Sequence, residues 1–562
     1  MITRRLVRAL DERLGTTPIA RTATAKVFPD HWSFMLGEIA LYCFTALVLT
    51  GVYLTLFFEP STAQTTYSGS FAPLRGEPVS AAYASTVALS FDVRAGLLIR
   101  QTHHWAALLF VGAIVLHLMR IFFTGAFRKP RELNWLVGVT MLALALANGF
   151  TGYSLPDDLL SGVGLRIIYS VVQSVPLVGA ELAFLAFGGE FPAAPTIPRM
   201  FITHVLLVPG ALATLIALHL AMVIRQKHSQ FAGPGRTEQN VVGSRFWPSY
   251  TVRTLALFAW ILAVLFGLGG LVQINPVWIY GPFDPAQATS PAQPDWYVLW
   301  GDGALRLFPP IEFRVFGYLV PGPFLPGAAL GGLTFLALYA WPFLEARRAR
   351  DPRPHQLLGR PRDHPLRLGV GVGALTFFTL LTVTAADDII ARLLRIPVTG
   401  LLAALQVLVL TVPWLAGLVG FLVARALRAN GGVGIAALTR ADVRVALTRR
   451  PPAQPDAAAS PHDRQTAGVE VWQQADGDWR WRYVDPRAPD LTGNRAFPSR
   501  GAAVDAARTA YPGRTIRSIR AHHDAAREAS DAARTMGRRV GTVATWTALL
   551  AIGILRRRRQ RR

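Results

Sequence analysis

The chain has 562 residues, 52% of them hydrophobic and only 16% charged, with a positive mean hydropathy and a formal net charge of +23. One cysteine, Cys43, excludes an intramolecular disulfide, a cysteine-only metal site and a CxxCH attachment motif. No nucleic-acid recognition module accompanies the positive charge, so it reads as membrane topology and contact with anionic lipid.

The first 32 residues form a polar, basic arm without the short apolar core and cleavage site of a signal peptide. Eight apolar runs long enough to span a bilayer follow, at about 33–58, 97–123, 135–153, 200–225, 252–274, 321–344, 367–386 and 400–425. Cys43, inside the first, reads as a small buried apolar residue. That run also carries Gly37 and Gly51, fourteen apart, and the third carries Gly138 and Gly152 at the same interval. The second run holds His103 and His117, fourteen apart, and the fourth His204 and His219, fifteen apart. On an α-helix these intervals return to within ~40° and ~60° of the starting direction and separate the side chains by ~21 Å. Each helix therefore points two imidazoles to one side, one pair member near each membrane face. Two such helices facing each other hold two stacked bis-histidine haems, an electron path across the bilayer. A satisfied core histidine explains one such residue far better than it explains two matched pairs. Glycine at the histidine period lets the backbone approach a flat macrocycle, although ordinary close helix packing also favours small residues.

Loops alternate in charge. The arm, Phe127 to Arg131, Arg225 to Arg253 and Glu345 to Arg367 are rich in Arg or Lys, whereas the intervening loops carry Asp and Glu. The positive-inside rule puts both ends of the eight-span core in the cytoplasm and pairs His103 with His204 outside, His117 with His219 inside. Arg100, Arg199 and Arg120 flank these histidines and are candidates to meet haem propionates, which need buried donors. Helix-end arginines also snorkel to the interface.

Beyond residue 428 the character changes. Residues 429–465 read as a linker rich in Ala, Pro and Arg. Within 466–520, Val469 to Val484 alternates around Asp-Gly as a β-hairpin and Ser499 to Tyr511 reads as a helix. The tail 521–562 holds a run of sixteen apolar-rich residues at 540–555, marginal for a span, before a terminal arginine cluster. Spanning would carry those arginines outside, against the charge rule. None of this region carries ligand elements, so it is expected to be cytoplasmic and dispensable for haem insertion and for the chemistry of the core. The fold expected is an all-α polytopic membrane protein of eight transmembrane helices, its first four (33–230) a di-haem bundle, then a second domain (231–428) and a small α+β extension.

The core, from Lys26 to about Leu427, resembles cytochrome b of respiratory quinol:cytochrome c oxidoreductases. The resemblance rests on Leu49-Thr-Gly51, Arg100-Gln-Thr-His-His-Trp105, His117-Leu-Met-Arg120, the stretch Phe123 to Glu132, Gly152-Tyr-Ser-Leu-Pro156 and Pro294-Asp-Trp-Tyr297. Three stretches are similar to the actinobacterial branch: His31 to Glu38, Leu155 to Gly162 and Gly233 to Gly243. The resemblance implies two haem b groups, outer low-potential and inner high-potential, and an outer quinol site formed by Pro294, Asp295, Trp296 and Tyr297. Relatives usually carry Glu where Asp295 stands; either carboxylate can accept a quinol proton. Oxidation would release two protons outside, send one electron to an iron–sulfur partner and the other inward to a quinone-reducing site. At that inner site the pattern departs from the family. Ile224 stands where a His is common, and Arg253-Thr254 where Lys-Asp is common. Glu38, Arg225, His228 and Arg253 are the candidate substitutes, each equally a candidate headgroup contact. Met35 stands where some relatives carry a cysteine for an additional covalent haem, so none is implied here. The implied partners are a Rieske iron–sulfur subunit, a c-type cytochrome, a haem–copper oxidase in a supercomplex and a second copy of the complex, in the plasma membrane, with menaquinol as substrate. Two alternatives are a di-haem anchor of another quinone-linked oxidoreductase, which leaves Pro294 to Tyr297 unexplained, and a transporter, which leaves the glycine period unexplained.

Overall fold

The computed structural model describes residues 13, 24–287, 293–429, 468–473, 478–485, 488–493, 497–511 and 515–518. The expected linker, the short apolar run at 540–555 and most of the N-terminal arm lie outside them.

Eight helices among the described residues are long and apolar enough to cross a membrane. They are α1 (Trp32–Thr55), α2 (Gly96–Thr124), α3 (Glu132–Tyr153), α4 (Thr196–Gln226), α5 (Phe246–Leu271), α6 (Gly322–Ala349), α7 (Pro365–Thr384) and α8 (Val398–Ala429). All eight coincide with the runs expected from sequence. Their outward faces carry large exposed apolar side chains such as Leu333, Leu410 and Trp414, as a lipid-facing surface requires.

In the first half, α1 packs along α2 and α3 along α4. In the second, α7 and α8 cross where Gly369, Gly373 and Gly417 meet; a Cβ on Gly369 would stand 2.8 Å from the Gly417 carbonyl oxygen. Backbone contact of this kind is how apolar helices gain packing energy where no hydrophobic drive exists between them. A bidentate ion pair between buried Arg367 on α7 and Glu345 on α6 ties these helices together. Truncating either partner would strand a buried charge, at about 3–5 kcal/mol.

The bundle has two ends. At the far end, Gln101 exchanges two hydrogen bonds with Ile274, and Trp105 Nε1 donates to the Val272 carbonyl, fixing the exit of α5 against α2. At the near end, where the described chain begins, Arg131 donates to the carbonyls of His355 and Lys227 and to Gln356 Oε1. One cation thus joins three loops whose backbone carbonyls lack regular partners.

A six-stranded sheet lies at the near end. Its strands are β1 (Val27–Phe28), β2 (Val242–Arg245), β3 (Gly468–Gln473), β4 (Trp479–Asp485), β5 (Ala488–Gly493) and β6 (Thr515–Ser518). Their order is β1-β2-β5-β4-β3-β6. The expected hairpin is β3–β4, antiparallel with Trp481 opposite Val471, and the expected helix is α9 (Arg500–Ala510), capped by the Ser499 hydroxyl. Two further strands, and pairing of this module onto the core through β2, were not anticipated.

Candidate functional site

α2 and α4 bring the four histidines together in two pairs. The ring centroids of His103 and His204 are 6.2 Å apart, and those of His117 and His219 are 6.5 Å apart. Two imidazoles bound to one metal ion, with bonds of about 2 Å each, stand at roughly this separation. The interplanar angles are 68° and 71°. The α2 register holds both of its histidines on one side, as the fourteen-residue interval predicts. His204 lies in a π-helical turn, Thr203–Leu207, which re-aims its side chain relative to the regular helix on either side.

The outer faces of the rings are also specified. Thr50 already donates its hydroxyl to the Ala46 carbonyl at 2.6 Å, so it accepts from His103 Nδ1 at 2.9 Å. His204 Nδ1 donates to the Asn148 carbonyl at 2.9 Å. Both bonds put the ring proton on Nδ1 and leave Nε2 bare, the tautomer an axial ligand needs.

Each glycine expected beside a macrocycle stands against an imidazole. A Cβ on Gly37 would lie 3.2 Å from His117 Cε1, one on Gly51 3.3 Å from His103 Cε1, and one on Gly138 4.0 Å from His219 Cε1. At Gly152 the collision with His204 would be closest. The glycine period shares the phase of the histidines: at these four positions α1 and α3 approach the ligand rings closely.

The flanking arginines divide. Arg100 Nη2 donates to the Asn275 carbonyl at 2.8 Å, but its buried Nη1 has no protein acceptor. Arg120 lies over the Phe34 ring at 4.2 Å, with Nε and Nη2 buried and without protein acceptors. Arg199 is otherwise engaged, donating to the Phe184 carbonyl at 2.9 Å and the Leu185 carbonyl at 2.5 Å.

At the far end Asp295 is gripped from two sides. His104 Nε2 contacts Oδ1 at 2.8 Å and Oδ2 at 3.0 Å, and the Tyr297 hydroxyl donates to Oδ2 at 2.9 Å. Burial, reinforced by Asp295, pushes the Tyr297 hydroxyl well above its ordinary pKa, so it remains a donor at working pH. Tyr297 packs on Gly149, and Trp296 reaches Gly112 at Cβ contact distance, 3.6 Å. His104 was not anticipated; the doubled histidine at 103–104 was the available signal. Behind this group Arg306 pairs with Asp302 at 2.9 Å and Asp387 at 2.8 Å, anchoring the helix that follows Tyr297 to the α7–α8 loop.

At the near end the four inner-site candidates separate. Glu38 Oε1 accepts from the Tyr250 hydroxyl and Oε2 from Thr254 Oγ1, both at 2.5 Å, and Tyr42 also hydrogen-bonds Thr254. Arg253 is on the same helix but is paired with Asp30 at 2.7 Å. His228 packs on Phe28, centroids 4.7 Å apart, and Arg225 is exposed at the end of α4. Tyr42, Tyr250 and Thr254 complete the Glu38 cluster; no spacing in the sequence joins them to it.

Comparison with known proteins agrees with this arrangement. A chain from Mycobacterium tuberculosis (strain ATCC 25618 / H37Rv), named cytochrome bc1 complex cytochrome b subunit, is 51% identical over 383 residues, 68% of this chain and 70% of that one. The chain belongs to the cytochrome b family. Subunits of the same name from Corynebacterium efficiens and Streptomyces coelicolor are 50% and 48% identical, each over 380 residues covering 68% and 67% of this chain and 70% of theirs. The family model described as Cytochrome b(N-terminal)/b6/petB matches residues 108–282. A solved structure titled "Hyperthermophilic respiratory Complex III" shares the fold, with TM-score 0.54 at 23% identity, over 74% of this chain and 99% of that one. The protein is therefore a multi-pass membrane cytochrome b, a subunit of a bc1-type redox complex, and membership implies haem b. The residues present fit that group: paired imidazoles at metal-bridging separation, bare Nε2 atoms on His103 and His204, and buried Arg100 and Arg120 donors that an anionic propionate would satisfy.

Proposed function

We propose that this cytochrome b oxidises quinol at the far, outward-facing end of the bundle and reduces quinone at the near, cytoplasmic end. His103 with His204 would hold an outer haem b, and His117 with His219 an inner one, with Arg100 and Arg120 toward the propionates. Haem bound there would supply one-electron transfer between the two ends. The two imidazole pairs, one toward each end and each backed by a glycine, support the reading most directly.

At the far end, Asp295 Oδ is the proton acceptor. Oxidising a quinol to a quinone releases two electrons and two protons, and a carboxylate within hydrogen-bond reach removes a proton as charge develops. His104 and Tyr297 are positioning residues: they hold the carboxylate in one orientation rather than averaged over rotamers. Pro294 and Trp296 wall the approach. One electron passes to a Rieske iron–sulfur subunit, and thence to a c-type cytochrome; the other goes to the near end. The hairpin Phe313–Val315 with Tyr318–Val320 leaves Phe316 98% exposed at this end, which favours a partner subunit covering it. Membership also supports a dimeric complex associated with a haem–copper oxidase, and likeness to actinobacterial members supports menaquinol as the substrate.

At the near end, Glu38 is the proton relay toward quinone: held by Tyr250 and Thr254, it takes a proton from the cytoplasmic side and passes it on. Arg253, neutralised by Asp30, is assigned to structure. The basic loops at this end, including Arg128, Lys129 and Arg131, support a cytoplasmic placement. The domain limits proposed are those read from sequence, with the arm and the 466–520 module both contributing to the near-end sheet.

A redox difference spectrum of the purified complex tests the reading at its root. Two low-spin b-type signals are expected, and His117→Leu should remove one. A colourless protein would end the proposal, and absence of any co-purifying Rieske subunit or c-type cytochrome would favour a di-haem anchor instead.

A further inference from the structure

The C-terminal module is attached to the same segments that build the inner cluster. β2 is shared: one edge pairs with β1, Val27 opposite Arg245 and Phe28 opposite Ser244, and the other with β5, Thr492 opposite Gly243 and Gly493 opposite Val242. Gly243, between them, lies so close to the Phe28 and Pro29 backbone that no side chain fits. Val242, fully buried, belongs to the module's own apolar core with Val469, Val471, Trp481 and Ala503. Tyr511, just past α9, stacks on Tyr483 at 4.5 Å and 5°, and donates its hydroxyl to the Pro234 carbonyl at 3.1 Å. Its ring covers Gly235, whose φ of +69° and lack of a side chain are both required there. The Arg245 guanidinium lies 5.4 Å from the Trp472 ring centre.

The other side of this contact leads directly to Glu38. Phe28 of β1 stacks on Tyr250 at 4.2 Å and 19°, and Tyr250 donates to Glu38. The Phe246 amide, at the entry to α5, donates to the Lys26 carbonyl at 2.7 Å. Alone, β1–β2 is a ribbon of two residue pairs, too short to hold its own register. With β5, β4, β3 and β6 added it becomes the margin of a sheet that has a hydrophobic face and a helix packed on it.

We propose that the C-terminal module is a built-in brace of the inner quinone site: by fixing β2, and through it β1 and Phe28, it positions Tyr250 against Glu38. This rests on the assignment of Glu38 to quinone reduction made above. The brace works through geometry and touches no substrate, so its loss should slow the inner reaction while leaving quinol oxidation and both haems intact.

Tyr511→Ala, Tyr511→Phe and a truncation after Ala429 would be compared with the full chain in the purified complex. Three measurements are made: hydrogen exchange over 234–246, the rate of quinone reduction at the inner end, and the first turnover of quinol oxidation. Truncation should raise exchange over 241–246 by about tenfold or more, with Tyr511→Ala intermediate and Tyr511→Phe smallest. Quinone reduction should slow in the same order, and the first quinol turnover should not change. Unaltered exchange in the truncated complex overturns the brace. Raised exchange with unaltered quinone reduction overturns the coupling, and Glu38→Gln then tells the two readings apart. If that variant slows the inner reaction, the inner-site assignment survives and only the brace fails; if it does not, the assignment itself is wrong. Should the truncated complex not assemble, Tyr511→Ala carries the same test.

Discussion

Each end of the bundle presents a carboxylate held by a tyrosine hydroxyl, yet the two are built differently. At the far end Tyr297 grips Asp295 from two residues away, within one loop, and His104 adds a second hold from α2. At the near end Tyr250 reaches Glu38 across 212 residues of sequence, and Thr254 on the same helix supplies the second hydrogen bond. The far carboxylate therefore keeps most of its geometry for as long as its loop holds, whereas the near one depends on α1, α5, β1 and β2 staying docked. A site of local construction needs little from distant parts of the chain. An inner site assembled from distant segments needs external support, and the C-terminal module is placed to give it.

The largest effects should come from the element both ends share. His117→Leu should take haem content from two per chain to one and leave the outer group visible in the redox difference spectrum; two haems retained would break the pairing on which the two-ended comparison rests. Next is Asp295→Asn, which keeps size and one acceptor oxygen but cannot take a proton. Turnover from quinol to cytochrome c should drop by about 100-fold, with both haems present and dithionite-reducible, while Asp295→Glu should retain much of the activity. Parental turnover in Asp295→Asn would move the acceptor to a water chain.

Glu38→Gln probes the opposite end and should lower quinone reduction by roughly tenfold without touching the first quinol turnover. A matching fall in both rates would mean that the two ends are not separate reaction sites. His104→Phe should be milder, about fivefold on turnover, with His104→Gln recovering part of the loss because an amide still donates to Asp295. A Phe variant at full rate would leave Tyr297 as the only hold that matters.

The smallest effect is one of pH at the near end. Burial, with Lys26, Arg131 and Arg120 nearby, pushes the His228 imidazole down to about 3 from an ordinary 6.5. The unfolded state then binds the extra proton between these values, so the contribution of His228 to stability is present above pH 6.5 and is lost as the pH falls toward 3. Protection factors over 226–231, corrected for the pH dependence of intrinsic amide exchange, should therefore fall between pH 6.5 and 5, and His228→Asn should flatten that dependence. An unchanged slope would assign the acid response to His355 or His364, which are lowered for the same reason.

Legibility in the sequence followed the length over which each feature is encoded. The eight spans could be read because apolar runs of bilayer length are a local property, and the histidine pairs because a helix converts a fourteen-residue interval into a direction. The Pro294 to Tyr297 group stood out only through the family resemblance, since those four residues alone read as a proline-started turn. Arg199 was a candidate propionate contact because it precedes His204, and only the folded chain put the Phe184 and Leu185 carbonyls within its reach. The hairpin and helix of the C-terminal module were legible, but not their attachment to β2, because strand pairing across some 250 residues leaves no periodic trace.

By itself, then, the sequence determined which segments enter the bilayer, which of their faces carry imidazole and glycine, and which loop carries the far carboxylate. Helix periodicity and apolar length are set residue by residue, so no neighbour is needed to specify them. Tertiary structure alone decided that glycines would back the histidine rings, that His104 would meet Asp295, that Arg253 would be neutralised by Asp30, and that Tyr250 would find Glu38. Those outcomes depend on which helices lie side by side and at what height, and contacts between distant segments are fixed only when the packed core sets both.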